Sequence, residues 1–283
     1  MRILVTGAAG QVGREVCALV EAAPQHELLA AERSQLDLAN RDSVLGAVCA
    51  NTPELIVNCA AFTAVDACES EAERAYAVNA LGVRHLLDAA RRVGAHVVHV
   101  STDYVFDGTK DTPYHEWDTP NPASVYGRSK LGGELELAGS GATIVRTSWV
   151  CGFHGPNMVK TVLRLCGGDG PLRFVSDQVG HPSFADDLAA MLLRLGVDRR
   201  PGTFHVTNHG AVSWFEFVRA VVAAAGGDVG RVEPITTAEL QPPRPAPRPA
   251  NSVLDNAALR LSGIEPPGHF EDALRRLVVR LQS

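Results

Sequence analysis

The chain begins with a strand that runs straight into a glycine turn and then a helix. Residues 3–6 are Ile-Leu-Val-Thr, Gly7-Ala8-Ala9-Gly10-Gln11-Val12-Gly13 follows at once, and residues 11–22 carry helical periodicity. The unit then repeats. Apolar runs at 27–31, 55–58, 96–101 and 143–146 alternate with helical stretches at 41–51, 71–93 and 125–137. Strands that alternate with helices must be parallel, joined by right-handed crossovers, with helices covering both faces of the sheet. The strands show little polar alternation, as burial on both faces requires. The fold class is therefore α/β, a doubly wound parallel sheet.

Past residue 150 the pattern loosens into Gly- and Pro-rich connections. Strands are expected at 172–175 and 203–206 and helices at 186–195 and 214–225, the last capped by Ser213. The chain thus divides into a sheet domain, residues 1–150, and a smaller C-terminal lobe, residues 151–283, with one or more elements returning to the sheet. The run Gln241-Pro242-Pro243-Arg244-Pro245-Ala246-Pro247-Arg248-Pro249 excludes regular helix or central strand, because proline lacks the amide donor. It reads as a mobile loop or as one that covers a substrate.

Of 283 residues 46% are hydrophobic, enough for a sizeable core. A net charge of −6, with no basic stripe, argues against a nucleic-acid partner. No apolar run approaches the roughly 20 residues of a membrane span. The opening strand leaves no room for a signal peptide, and six cysteines lie scattered without metal-ligand spacing, so a cytoplasmic protein with reduced thiols is expected.

The spacing G-x-x-G-x-x-G, placed between a first strand and a first helix, suits a dinucleotide. Gly7, Gly10 and Gly13 permit the tight turn, close approach of a pyrophosphate and packing of helix on strand, while Gln11 and Val12 open the helix toward the anion. The second strand ends Ala30-Ala31-Glu32-Arg33-Ser34. Glu32 could bind a ribose 2′-hydroxyl, whereas Arg33 and Ser34 could hold a 2′-phosphate; NADPH is preferred, with NADH tolerated. Asp37 and Leu38, just beyond, are assigned to the same site.

Tyr126 and Lys130 stand four apart in Val-Tyr-Gly-Arg-Ser-Lys-Leu, on one face of a helix. By themselves they read as a surface pair. Beside a dinucleotide they can do acid–base work, since a fixed cation lowers a phenol's pKa from its ordinary value of about 10.

With Gly7 to Gly13, Asn58-Cys-Ala-Ala-Phe-Thr-Ala-Val-Asp66, Val78-Asn79, Ser101-Thr-Asp-Tyr-Val-Phe-Asp-Gly108, Tyr126 to Lys130 and Arg146-Thr-Ser-Trp-Val150, the chain resembles an extended short-chain dehydrogenase/reductase. More narrowly, it resembles the dTDP-4-dehydrorhamnose reductase family, over nearly its whole length. The resemblance implies hydride transfer from a nicotinamide to the C4 ketone of a dTDP-4-keto-6-deoxy sugar, giving dTDP-L-rhamnose or a related sugar such as dihydrostreptose. It implies Tyr126 as general acid, Thr102 as second donor to the ketone oxygen, and Lys130 as the residue that holds the nicotinamide ribose and lowers the Tyr126 pKa, with Asn79 supporting the lysine. Ala60, Ala61 and Thr63 would line the cofactor. Asp103, Tyr104, Trp149, Asn157 and Arg248 would meet the substrate, Arg248 as a fork on its diphosphate.

Cys151 and Phe62 depart from the family's usual aromatics, which leaves the sugar open. Glu15 falls where some members bind Mg2+, with Asp186 as a second acid, although two isolated acids more often face solvent. The resemblance also allows a homodimer. Two other functions compete: a noncatalytic NADP-binding regulatory subunit of the same fold, and a sugar-nucleotide epimerase or dehydratase. Intact Thr102, Tyr126 and Lys130 favour the reductase, and the Thr102-Asp103 pair lacks the glutamate a dehydratase uses.

Overall fold

The structure, a computed structural model, describes residues 1–282. Six strands, β1 (Arg2–Thr6), β2 (Glu27–Ala31), β3 (Leu55–Asn58), β4 (His96–Thr102), β5 (Thr143–Thr147) and β6 (Gly202–His205), form one parallel sheet. Their order is β6-β5-β4-β3-β1-β2, so the chain starts inside the sheet and winds outward both ways. The crossing point lies between β1 and β3, where their C-terminal ends open a crevice.

Successive side chains of a strand point to opposite faces, and the core divides accordingly. Ile3, Val5, Leu55, Val57 and Val98 pack on one face against α1 (Gln11–Glu21) and, C-terminal to the other helices of the sheet domain, the helix Ala185–Val197 through Leu188, Leu192 and Leu195. Leu4, Ile56, Val97 and Ile144 pack on the other against α2 (Arg41–Asn51) and α3 (Gly82–Val93) through Val44, Val48 and Leu86. These helices start where polar caps allow. Asn40 accepts from the amides of Asp42 and Ser43, and Ser124 accepts from Gly127 at the start of α4 (Val125–Glu136).

The C-terminal residues build a third apolar cluster, with Phe184, Phe217, Val221, Phe270 and Leu274 buried among α5 (Met158–Cys166), α6 (Ala185–Val197), α7 (Trp214–Ala224) and α8 (Phe270–Gln282). A capping box between Ser213 and Glu216 starts α7. The strand pair Leu172–Val175 and Val232–Ile235 covers this cluster.

Two local outcomes differ from the sequence-based expectation. The helix expected over 71–93 is interrupted by a π-helical turn, Ala77–Leu81, which turns Asn79 inward to the loop after β3. The proline run forms no helix or strand, yet it is tied down: Ala246 is buried and its amide donates to Asp66.

Candidate active site

The first turn of the sheet shows why its glycines are required. Gly7 has φ of +67°, and a Cβ there would stand 2.8 Å from the Ala60 backbone. A Cβ at Gly13 would stand 2.2 Å from the Gly7 carbonyl oxygen. Both contacts are below van der Waals distance, so any side chain would push α1 and the loop after β3 away from the turn. Gly10 caps α1 without a side chain, and no acid occupies the first helical turn. The open amides of that turn fit an anionic pyrophosphate.

Arg33 and Ser34 lie exposed beyond β2, with Arg33 in only a loose 4.0 Å pair to Asp37. Asp37 receives no such freedom in its backbone, which donates to Ser43 at 3.1 Å, and Leu38 is buried against Gly82. Ala60 and Ala61 line the loop leaving β3, and Thr63 is exposed beside them.

Thr102 ends β4, Tyr126 and Lys130 lie in the first turns of α4, and all three are buried. Thr102 Oγ1 donates to Asp103 Oδ1 at 2.9 Å and accepts from the Tyr104 amide at 3.2 Å. Tyr126 meets Tyr104 edge-on, ring centroids 5.5 Å apart, and lies beside Thr102. Gly127 lets α4 approach this closely, for a Cβ there would lie 2.1 Å from the Tyr104 carbonyl oxygen.

The electrostatics correct one expectation. Burial lifts the Tyr126 phenol above its ordinary value; Thr102 beside it acts in the opposite sense, and Asp103 and Tyr104 add to the rise. Lys130 does not bring it down here, because its Nζ is turned into the sheet. It donates to the Val100 carbonyl at 2.7 Å and lies 3.2 Å from His99 Nε2. Burial pulls Lys130 itself down to about 8, and burial pushes Asp103 up to about 6.

Asn79 acts differently from the support expected of it. Its amide accepts from the Phe62 N–H at 2.8 Å and donates to the Phe62 carbonyl and to Ser129 Oγ, both at 3.0 Å. It therefore staples the cofactor-side loop to the helix that carries Tyr126 and Lys130. Glu134, one turn beyond Lys130, is held by Ser101 and by a buried bidentate pair with Arg146, which fixes the same helix to β5.

Arg248 forms a bidentate pair with Asp66 Oδ1 and Oδ2 and lies near Tyr104. It is a half-buried, oriented guanidinium rather than a solvated one. Trp149 adopts φ of +47°, stacks one face on Trp214 with ring centroids 3.6 Å apart, and has its Cε2 and Cζ2 atoms beside Gly180. Asn157 uses its amide as a brace: it caps α5 through the Lys160 N–H and donates to Gln11 Oε1 and the Gly152 carbonyl. Its side chain joins α1 to the C-terminal cluster and has no free donor for a sugar.

The acids considered for Mg2+ are engaged by arginines. Glu15 Oε1 lies 3.1 Å from Arg280 Nη1, and Arg276 spans Asp186 and Asp187 at 3.5 and 2.7 Å. Guanidiniums stand where a hard cation needs oxygen ligands, and no metal-binding group of three His, Cys, Asp or Glu occurs among the described residues. The residues do not fit the ion.

Four positions beside the candidate site residues escape motif reasoning. Asn58 and His99 stand behind Lys130, Asp66 orients Arg248, and Trp214 backs Trp149. Asn58 and Asp66 bound a motif whose signal is visible in sequence, whereas nothing local marks His99 or Trp214.

Known proteins match the chain end to end. The family model described as the RmlD substrate binding domain matches residues 1–283. A dTDP-4-dehydrorhamnose reductase of Sinorhizobium fredii is 44% identical over 292 residues, covering 98% of this chain and 97% of that one. The crystal structure of a dTDP-4-dehydrorhamnose reductase from Clostridium acetobutylicum superposes with a TM-score of 0.96 at 40% identity, covering all of both chains. That of the Bacillus anthracis dTDP-4-dehydrorhamnose reductase in complex with NADP gives 0.93 at 36%, covering 99% of each. With its sheet, glycine turn and tyrosine helix all inside one full-length match, the chain belongs to the dTDP-4-dehydrorhamnose reductase family.

Proposed function

We propose that this protein reduces the C4 ketone of a dTDP-4-keto-6-deoxyhexose, dTDP-4-dehydrorhamnose in the reaction for which its relatives are named, with NADPH as cofactor. The observation that carries this is a pair of features in one chain: buried Thr102 and Tyr126 at the end of β4 and the start of α4, with Lys130 one turn along the same helix, and a glycine turn after β1 that has no room for a Cβ at Gly7 or Gly13. NADPH, when bound, supplies the hydride. Gly7, Gly10 and Gly13 would hold its pyrophosphate at the α1 N-terminus, and the exposed Arg33 and Ser34 its 2′-phosphate. The NADP complex of the Bacillus anthracis relative supports the phosphorylated cofactor.

As negative charge grows on the ketone oxygen, Tyr126 donates its phenolic proton and Thr102 Oγ1 turns from Asp103 to offer a second hydrogen bond. The lifted pKa of Tyr126 keeps the phenol protonated before the reaction, as a proton donor needs to be. Tyr104 and Trp149 present aromatic faces to the apolar side of the hexose. Arg248, aimed by Asp66, takes the diphosphate bidentately by exchanging one carboxylate partner for phosphate oxygens.

Purified protein should oxidise NADPH only in the presence of a dTDP-4-keto-6-deoxy sugar. Tyr126→Phe should lower kcat by roughly 100- to 10,000-fold, the usual contribution of a positioned acid, while NADPH affinity stays within about twofold of wild type. Full activity in that variant, or no turnover of any such sugar, refutes the assignment.

A further inference from the structure

Behind Lys130 runs a chain of buried polar groups that the proposed reaction does not use. Thr6 Oγ1 donates to Asn58 Oδ1 at 2.6 Å, and the Ala60 amide donates to the same oxygen at 3.2 Å. Asn58 Nδ2 lies 2.8 Å from His99 Nδ1, and His99 Nε2 lies 3.2 Å from Lys130 Nζ. Asn58, His99 and Lys130 are each at most 2% exposed.

The protons in this chain follow from one fixed donor. A backbone N–H can only donate, so the Asn58 atom facing Ala60 is the oxygen and the atom facing His99 is the NH2 group. His99 Nδ1 must then accept, and the ring proton of the neutral imidazole sits on Nε2, aimed at Lys130. An ammonium has no lone pair, so a charged Lys130 would set N–H against N–H. A neutral amine can accept from His99 while donating to the Val100 carbonyl.

We propose that His99 is a positioning residue that holds Lys130 as a neutral amine in the cofactor-free protein, so that Lys130 takes up a proton when NADPH binds. The inference rests on the cofactor reading above. Glu134 and Cys59 favour the charged lysine, but less than burial disfavours it. Glu134, on the same helix, is neutralised by Arg146 and bound by Ser101; Cys59, at the end of β3, has its thiol pushed up by burial to about 12; and Tyr126, one turn back on α4, is an un-ionised phenol. Ribose hydroxyls can accept from an ammonium, and the cofactor phosphates favour its charge, so binding turns Lys130 from the His99 side toward the cleft in its charged form. Burial acts in the same direction on the free protein, lowering Lys130 and holding His99 neutral.

The test is direct, because the chain has only three lysines, Lys110, Lys130 and Lys160. Side-chain NMR of protein carrying isotope-labelled lysine, titrated with and without NADP+, resolves each one, and Lys130→Arg assigns the signal. In free protein Lys130 should titrate near 8 and the other two in the ordinary lysine range; saturating NADP+ should raise the Lys130 midpoint by at least two pH units. His99→Gln, which can turn an oxygen toward the ammonium, should raise the free-protein midpoint by at least one unit. Asn58→Asp, which needs His99 to carry its proton on Nδ1, should do the same should His99→Gln fail to fold. A free Lys130 that stays charged past pH 10, or a midpoint unmoved in both variants, overturns the proposal. Absence of any NADP+-induced shift at all three lysines sinks the cofactor reading instead, while the free-protein midpoint still decides the role of His99.

Discussion

Arg146→Met removes the guanidinium that lies 2.7 Å from Glu134 Oε2, in a pair whose side chains are each 5% exposed. The carboxylate left behind keeps the Ser101 hydroxyl, at 2.5 Å, as its remaining side-chain partner. Stranding one member of a buried pair costs about 3 to 5 kcal/mol. At roughly 2 to 3 °C per kcal/mol for a chain of this size, Tm should fall by about 6 to 15 °C. The pH dependence gives a sharper test. A stranded carboxylate can shed its charge only by binding a proton, so the folded variant would hold that proton more tightly than the unfolded chain does. Stability of the variant should then be greatest in acid and decline as pH rises, by up to about 1.4 kcal/mol per pH unit, until the folded carboxylate is fully ionised. Urea unfolding of wild type and variant across the range from about pH 5 to about pH 8 measures both quantities. Glu134→Leu/Arg146→Met, which removes both charges, should recover at least about 2 kcal/mol over Arg146→Met alone. A loss under about 1 kcal/mol with no added pH slope would mean the pair behaves as a surface bridge, and the claim that it anchors α4 in a dry site would be wrong.

Three further outcomes follow from the geometry. Gly13→Ala places a methyl 2.2 Å from the Gly7 carbonyl oxygen and should weaken NADPH binding at least tenfold in a fluorescence titration; affinity within twofold of wild type would show that the turn yields. Arg248→Lys keeps the charge but loses the fork, so the KM for the dTDP-sugar should rise about tenfold with NADPH affinity unchanged, and an unchanged KM would remove Arg248 from the diphosphate site. Asp103 has a folded pKa raised from 3.8 to about 6 by burial, so its contribution to stability is fully present below the unfolded pKa and is lost as pH rises through 6. Asp103→Asn should therefore be more stable than wild type at pH 8, by an order of magnitude of about 2 to 3 kcal/mol, with the gain gone by about pH 4; no gain at pH 8 would contradict the burial argument.

Much of the fold is legible in local pattern. The runs at 27–31 and 55–58 become β2 and β3 with those bounds, because a strand covered on both faces must be apolar throughout. The short strand at 172–175 is equally plain. Less visible is α8: its residues carry helical periodicity, but the partner that buries Phe270 and Leu274 is α7, some 50 positions earlier in the chain. The π-turn at Asn79 is hidden for a similar reason. Only the demand of Phe62 and Ser129 for one amide between them explains it, and neither is a helical neighbour.

The candidate site divides along the same line. By itself the sequence determined the dinucleotide turn after the first strand, and the reaction class came with the resemblance that Gly7 to Gly13, Ser101 to Gly108 and Tyr126 to Lys130 carry together. The same resemblance named Thr102, within the segment Ser101 to Gly108. Tertiary structure alone decided how those groups are charged and held. Lys130 faces His99 and the Val100 carbonyl rather than Tyr126, Arg248 is clamped by a carboxylate 182 residues earlier, Asn157 is a brace, and the acids considered for a metal are closed off by Arg276 and Arg280. A residue's type and spacing specify which chemistry it can do; its protonation and its free valences depend on donors and acceptors brought from distant strands, and these exist only once the sheet has formed.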